Sequence, residues 1–273
     1  MLRCGSLQRH YLPVPLDHNG YYDVVIWLRR GCLARDQMPD AHVIEIPSYM
    51  GRRCLYADVT LTSGWRVRLA TVHLESTGPE GPTRKAQLET IFPVLKTTPW
   101  SSSSSEQAQN ASRSLPNIAV LTGDFNLCAS SEENVTVACE PGVVDLWPTL
   151  EPGPGWTEDT AINEMRFAAK PQHKQVRFDR VLIIHPEALD EEQQGADSSS
   201  TIADGSLSSS STWRGTRIAL LGTTPLPSTT AVEEEQASLS IPTRTAAMGS
   251  GLADVRVWPS DHFGLVVDIA LPL

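Results

Sequence analysis

The chain has 273 residues, 40% of them hydrophobic, and a formal net charge of −10. This suffices for a substantial core in one large domain or two small ones, and the acidity argues against nucleic-acid binding by bulk charge, though not against a local site where metal ions supply positive charge. No apolar run reaches membrane-spanning length, residues 1–17 lack a signal peptide's apolar stretch, and five scattered cysteines form neither a disulfide framework nor a zinc spacing, so a soluble intracellular protein is expected.

Residues 1–19 read as an irregular lead-in. Tyr22–Leu28, β-branched and aromatic, predicts a strand, and Ala41–Ile46 a second short one. Leu55–Leu61 and Trp65–Leu74 flank Thr62-Ser63-Gly64, a hairpin turn. Thr83–Leu95 places Leu88, Ile91, Phe92 and Leu95 at i, i+3, i+4 and i+7, an amphipathic helix whose last turn Pro93 should kink or shorten. Asn117–Thr122 is a continuous apolar run, hence a strand covered on both faces. Gly142–Leu150 reads as a short buried segment. Arg177–Ile184 and Leu265–Ile269 are further strands. Three segments, at about 97–116, 187–212 and 223–251, are rich in Ser, Thr, Pro and Glu and carry no apolar period. They read as disordered or loosely ordered insertions. The rest, residues 20–273, forms one domain: a mixed sheet with helical cover, most simply two sheets packed together.

Polar side chains cluster where apolar runs end. Leu121-Thr-Gly-Asp-Phe-Asn126 puts Asp124 and Asn126 on one side of an extended segment, after a glycine that permits a sharp turn. Asp124 suits a hard cation or an oriented water, and Asn126 a phosphoryl oxygen; an Asx turn ending the strand explains the pair equally well. Asp261 and His262, after Pro259-Ser260, offer a carboxylate and an imidazole for phosphate chemistry, against the ordinary alternative of a solvated loop. Asp179 could orient His262 as a triad carboxylate orients its imidazole, or could merely open a solvated strand edge. His73 and Ser76 end a strand and suit phosphate contact or capping. Asn163 suits phosphate contact or a side-chain turn network.

In order along the chain stand Gly20-Tyr-Tyr22, Ile46-Pro-Ser48, His73-Leu-Glu-Ser76, Gly123-Asp-Phe-Asn126, Val144-Asp-Leu-Trp147, Asp159-Thr160 with Asn163, Arg177-Phe-Asp-Arg180 and Pro259-Ser-Asp-His262 with Gly264. These phrases resemble the endonuclease/exonuclease/phosphatase superfamily, and His-Leu-Glu-Ser and Arg-Phe-Asp-Arg resemble its tyrosyl-DNA phosphodiesterase branch. The resemblance implies an α/β (α+β) fold, a four-layer sandwich of two packed mixed sheets flanked by helices. It implies a metal-dependent phosphodiesterase that cleaves 5′-phosphotyrosyl bonds between a DNA 5′ end and trapped topoisomerase II in DNA repair, in the nucleus or cytoplasm. By the same resemblance Asp124, Asn126, Asp179 and His262 are catalytic, His73, Ser76 and Asn163 bind substrate, and Asp124 and Asp261 hold Mg²⁺, with Mn²⁺ as a substitute.

Two departures set further expectations. The family's first strand carries an Asn and a later one ends in Gln-Glu, the glutamate being the principal metal ligand. Residues 1–19 hold neither phrase, so the chain is expected to be N-terminally incomplete, to lack the first strands and to expose the sheet surface they cover. Asp17, Asp23 and Glu45 are the nearest acidic substitutes. Glu158 stands where that branch carries a Trp, and a Glu facing phosphate would repel it. A catalytically inactive relic or binding module, and a phosphatase or nuclease with another substrate, are the alternative readings.

Overall fold

The structure is a computed structural model that describes residues 9–14, 24–34, 38–100, 115–127, 133–186, 213–226 and 258–270. Strands β1 (Tyr11–Pro13) and β2 (Trp27–Arg29) form a small antiparallel pair. Strands β3 (Asp40–Glu45), β4 (Arg53–Thr60) and β5 (Arg66–His73) follow as an antiparallel meander. Helix α1 (Gly81–Thr97) returns the chain to β6 (Ile118–Asp124), parallel to β5. Then come α2 (Glu133–Ala138), β7 (Val143–Asp145), α3 (Leu146–Leu150), β8 (Glu158–Asp159), α4 (Glu164–Ala169), β9 (Gln175–Val176), β10 (Asp179–Ile184), β11 (Arg214–Leu221) and β12 (Gly264–Ala270). The main sheet is mixed, ordered β3-β4-β5-β6-β10-β7, while β11-β12 and β8-β9 are two-stranded.

Alternation along the strands explains their unbroken apolar runs. Cys54 and Tyr56, Ala70 and Val72, Ala119 and Leu121, and Leu182 and Ile184 join one core with Leu88, Ile91, Phe92 and Leu95 of α1. The intervening residues, Leu55 and Ala57, Val67, Ile118 and Val120, and Val181 and Ile183, join a second core with Trp213 and Ile218 of the β11–β12 ribbon. Helix thus covers one face and a second sheet the other, as the pattern of two-sided strands requires. The four α1 side chains are at most 1% exposed, and each such burial contributes about 1.5–3 kcal/mol.

Most predicted strands lie where expected, and the departures have local causes. Helix α1 runs on past Pro93 to Thr97. Its last turn is held from the sheet: Arg68 Nη1 donates to the carbonyls of Val94 (3.3 Å) and Thr98 (3.0 Å). The guanidinium is itself paired with Asp58 through two bonds of 2.7 Å. The segment 142–150 splits because the Asp145 carboxylate caps the Trp147 N–H at 3.3 Å, ending a strand and starting a helix. Within 22–28, strand geometry covers only Trp27 and Leu28, continuing to Arg29, while Tyr22 and Asp23 lie outside the described residues. So do Asp17, the phrase Gly20-Tyr-Tyr22 and the bulk of the three insertions, residues 101–114, 187–212 and 227–251.

Candidate active site

The register of the main sheet brings three chemistry-bearing residues into one row. His73, the last residue of β5, pairs with Asp124, the last of β6, which pairs with Asp179, the first of β10. A glycine is needed beside this row. Gly123 has φ 133°, and a Cβ there would stand 1.9 Å from the Val72 carbonyl oxygen, a conformation and a space that only glycine accepts.

His262 completes the row from the loop before β12. Its Nδ1 lies 3.0 Å from Asp179 Oδ2 and 4.0 Å from Asp124 Oδ2. A carboxylate only accepts, so Nδ1–H donates to Asp179 and Nε2 is the nitrogen left for other work. The ring stacks on Phe178 with centroids 5.7 Å apart and planes 17° apart, which fixes its plane. From the other side His73 Nε2 approaches Asp124 Oδ2 at 3.4 Å. Arg52 Nη1 donates to His73 Nδ1 at 2.8 Å. Since guanidinium only donates, Nδ1 accepts and Nε2 carries the proton facing Asp124.

Asn126 shares this corner. Its backbone N–H donates to Asp124 Oδ1 at 2.8 Å, and its Nδ2 donates to the Leu74 carbonyl (3.0 Å) and Ser76 Oγ (3.3 Å). The Asx turn and the functional arrangement are therefore the same object. Ser76 Oγ also accepts from Arg52 Nη2 at 3.1 Å.

These neighbours set the charges. Burial, reinforced by the Asp179 charge, raises the Asp124 carboxyl, against lowering by the Asn126 N–H, His262 and Arg52. Burial would lower His262, but the Asp179 hydrogen bond and charge, with Asp124 and Asp261, outweigh it and raise the imidazole. Burial, Arg52 and His262 bring His73 down to about 4 despite Asp179, so at neutral pH it is an uncharged donor.

Other expected site residues take different positions. Asn163 is 0% exposed: its Nδ2 donates to the Ser260 carbonyl (2.9 Å) and its Oδ1 accepts the Arg166 N–H (2.9 Å). Both ends of the carboxamide are thus engaged, in capping α4 and fastening the Ser260 loop, rather than directed at a ligand. Asp261 is exposed and faces the Ser260 hydroxyl at 3.3 Å. Glu158 is 1% exposed and paired with Arg166 (2.7 Å) and Lys174 (2.5 Å). It is neutralised inside the fold and does not present a repelling charge to phosphate.

Three further residues support the site. Thr157 Oγ1 accepts the N–H groups of Phe178 and Asp179, each at 3.0 Å, and so aims Asp179. Glu75, 0% exposed, accepts the Tyr49 (3.1 Å) and Met50 (3.0 Å) N–H groups and shapes the turn that delivers Arg52. Arg52 itself carried no signal beyond a basic pair after a glycine.

A divalent cation is implied by the superfamily resemblance. Mg²⁺ accepts one or two carboxylates with water or substrate completing its octahedron. Among the described residues no three His, Cys, Asp or Glu side chains converge as a metal-binding group. Asp124 offers a donor at this corner, and the upward displacement of its carboxyl by burial and by Asp179 marks a place where added positive charge would be favoured.

Strand order and the two-faced core make a mixed α/β fold that several solved structures share. Within it the chain is similar to TDP2 from D. rerio, solved with a single strand DNA product, at 21% identity and TM-score 0.60, covering 97% of this chain and 79% of that one. Truncated Caenorhabditis elegans TDP2 is similar at 20% identity and TM-score 0.54, with 97% and 76% covered. The Bacteroides thetaiotaomicron mannosyl-6-phosphatase is similar at 13% identity and TM-score 0.51, with 90% and 70% covered. At these identities the likeness is one of fold. No protein-family model matches the chain, and no curated protein matches it. Among the described residues no helix is long and apolar enough to cross a membrane.

Proposed function

We propose that the chain is a Mg²⁺-dependent phosphodiesterase that acts on a DNA 5′ end carrying a tyrosyl adduct, which would place it in DNA repair and in the nucleus. The observation that carries this reading is the His262–Asp179 pair at 3.0 Å beside Asp124 at 4.0 Å. Asp124, a carboxyl raised by burial and by Asp179, orients the attacking water and accepts its proton. His262, its imidazole raised by Asp179, donates Nε2–H to the scissile phosphoryl group as charge builds there. Asn126, His73 and Ser76 line the same corner as neutral polar groups, which bind a phosphoryl oxygen without adding repulsion. Mg²⁺, or Mn²⁺ in its place, would be held by Asp124 with Asp261 and would supply Lewis-acid polarisation of that oxygen. Asn163 and Thr157 act through the residues they position.

The test is Mg²⁺-dependent release of tyrosine from a 5′-phosphotyrosyl oligonucleotide. Activity is expected to fall at least about 100-fold in either Asp124→Ala or His262→Ala, the scale of lost acid–base catalysis. Full activity in the Asp124→Ala/His262→Ala double variant removes this site from the reaction. A second reading, a binding module without turnover, is favoured by the lack, among the described residues, of a group of three side chains suited to a metal. It predicts oligonucleotide binding with no release at any Mg²⁺ concentration.

A further inference from the structure

Tyr49 is 86% exposed, the highest value among the exposed large hydrophobic side chains of the described residues. An exposed aromatic on a mobile loop would mean little, but this one sits on a fastened turn. The N–H of Tyr49 and that of Met50 both donate to Oε1 of Glu75, at 3.1 and 3.0 Å. The Arg52 N–H donates to Ser48 Oγ at 2.8 Å, and Ser48 Oγ donates to Glu75 Oε2 at 2.5 Å. Gln87 then holds Glu75 from behind, accepting its backbone N–H at 2.9 Å. A fully buried carboxylate is therefore spent on fixing the backbone of a residue whose own side chain touches little.

The same turn is tied to the reactive corner. Glu75 lies between His73 and Ser76, and Arg52, three residues past Tyr49, bonds both of them. Three residues of chain span at most about 10 Å, so the fixed backbone of Tyr49 lies within that distance of the backbone of Arg52, whose guanidinium reaches the site. An exposed aromatic side chain on fastened backbone near a phosphoryl-handling corner suits the group one step along a nucleic-acid strand, an unpaired base. Such stacking is tolerant of sequence, because every base presents a π-face.

We propose that Tyr49 is a stacking platform for the first unpaired nucleobase of a bound strand and so determines substrate class. This rests on the phosphodiesterase reading above. The probe is a short single-stranded DNA with a 5′-phosphate, measured by equilibrium binding without divalent cations, beside an otherwise identical strand whose 5′-terminal residue is abasic. Tyr49→Ala should weaken binding of the normal strand about tenfold and leave the abasic strand unchanged, while Tyr49→Phe should bind as the parent does. Tyr49→Trp should bind normally and show its added fluorescence quenched by the normal strand but not by the abasic one.

Equal affinity of Tyr49→Ala and parent for the normal strand overturns the proposal and leaves the phosphodiesterase reading standing. Loss of binding to both strands alike also overturns it, since the ring would then serve something other than a base. A parent that binds neither strand overturns the stacking proposal, while the phosphodiesterase reading is decided separately by the tyrosine-release assay. An effect that appears only with a 5′-phosphotyrosyl strand, and equally when that strand is abasic, moves the contact to the adduct's ring and refutes the nucleobase assignment.

Discussion

His73 and His262 approach the same oxygen, Asp124 Oδ2, at 3.4 and 4.0 Å, and their surroundings drive them opposite ways. His262 is raised, so it binds its proton more tightly folded than unfolded. Its contribution to stability is full below about 6.5 and is lost as pH rises through the folded value. His73 is lowered to about 4 from 6.5. Between those two values the unfolded chain takes up a proton that the fold refuses, so stability falls as pH drops through that window. Thermal melts at steps between pH 4 and 7 should show Tm declining on the acid side, and His73→Gln should flatten that decline. Asp124 is also raised, so ionising it costs more in the fold than in the unfolded chain. In EDTA, Asp124→Asn is expected to raise Tm at pH 7 while abolishing phosphodiester cleavage. A variant less stable than the parent would show that Asp124 contributes to folding rather than being held at its expense. The residues flanking this oxygen were legible because polar side chains at the ends of apolar strands are conspicuous. Arg52 and Thr157 were not, since an arginine in a turn and a threonine before a short strand gain meaning only from partners 21 and 22 positions away.

At the scale of elements, the sheet holds the helix as much as the helix covers the sheet. Arg68 on β5 is 0% exposed, pairs with Asp58 on β4, lies over the Tyr56 ring at 4.8 Å and satisfies carbonyls at the end of α1. Removing one member of a buried pair leaves the other charge without compensation, which costs about 3–5 kcal/mol. Asp58→Ala should therefore lose that much in a denaturant titration, and Asp58→Ala/Arg68→Met should recover much of it. If the double variant falls as far as the single one, the carbonyl bonds rather than the ion pair hold the helix end. The same contacts hold the last turn of α1, which Pro93 was expected to kink or shorten, out to Thr97. Elements with two-sided apolar runs were readable from the chain alone, because burial on both faces leaves no polar position to confuse the pattern. Strand β11 was not, because only Ile218 of its eight residues is buried and two arginines stand among the rest. Helices α2 and α4 are six residues each, too short for an apolar period to appear, and α4 is started by the Asn163 cap rather than by its own pattern.

For the whole molecule the governing quantity is charge. A net −10 repels nucleic acid at long range, so any affinity for a strand has to be generated within the site and should respond to a site-bound cation. Added salt also relieves general self-repulsion, so the two effects must be separated. With ionic strength held constant by NaCl, Mg²⁺ at ten times its dissociation constant would add about 1.4 kcal/mol to the stability of a chain that binds one ion only when folded. For a domain of this size that is a Tm increase of about 3–5 °C. The increase should vanish in Asp124→Asn, whose carboxamide keeps the shape and loses the charge, and should return to the parent value on EDTA treatment. An increase retained in Asp124→Asn assigns the cation to other carboxylates of an acidic chain. No increase in the parent leaves Asp124 among Asp179, two imidazoles and Asn126, a corner lacking the Lewis acid that phosphate cleavage requires under the proposed function.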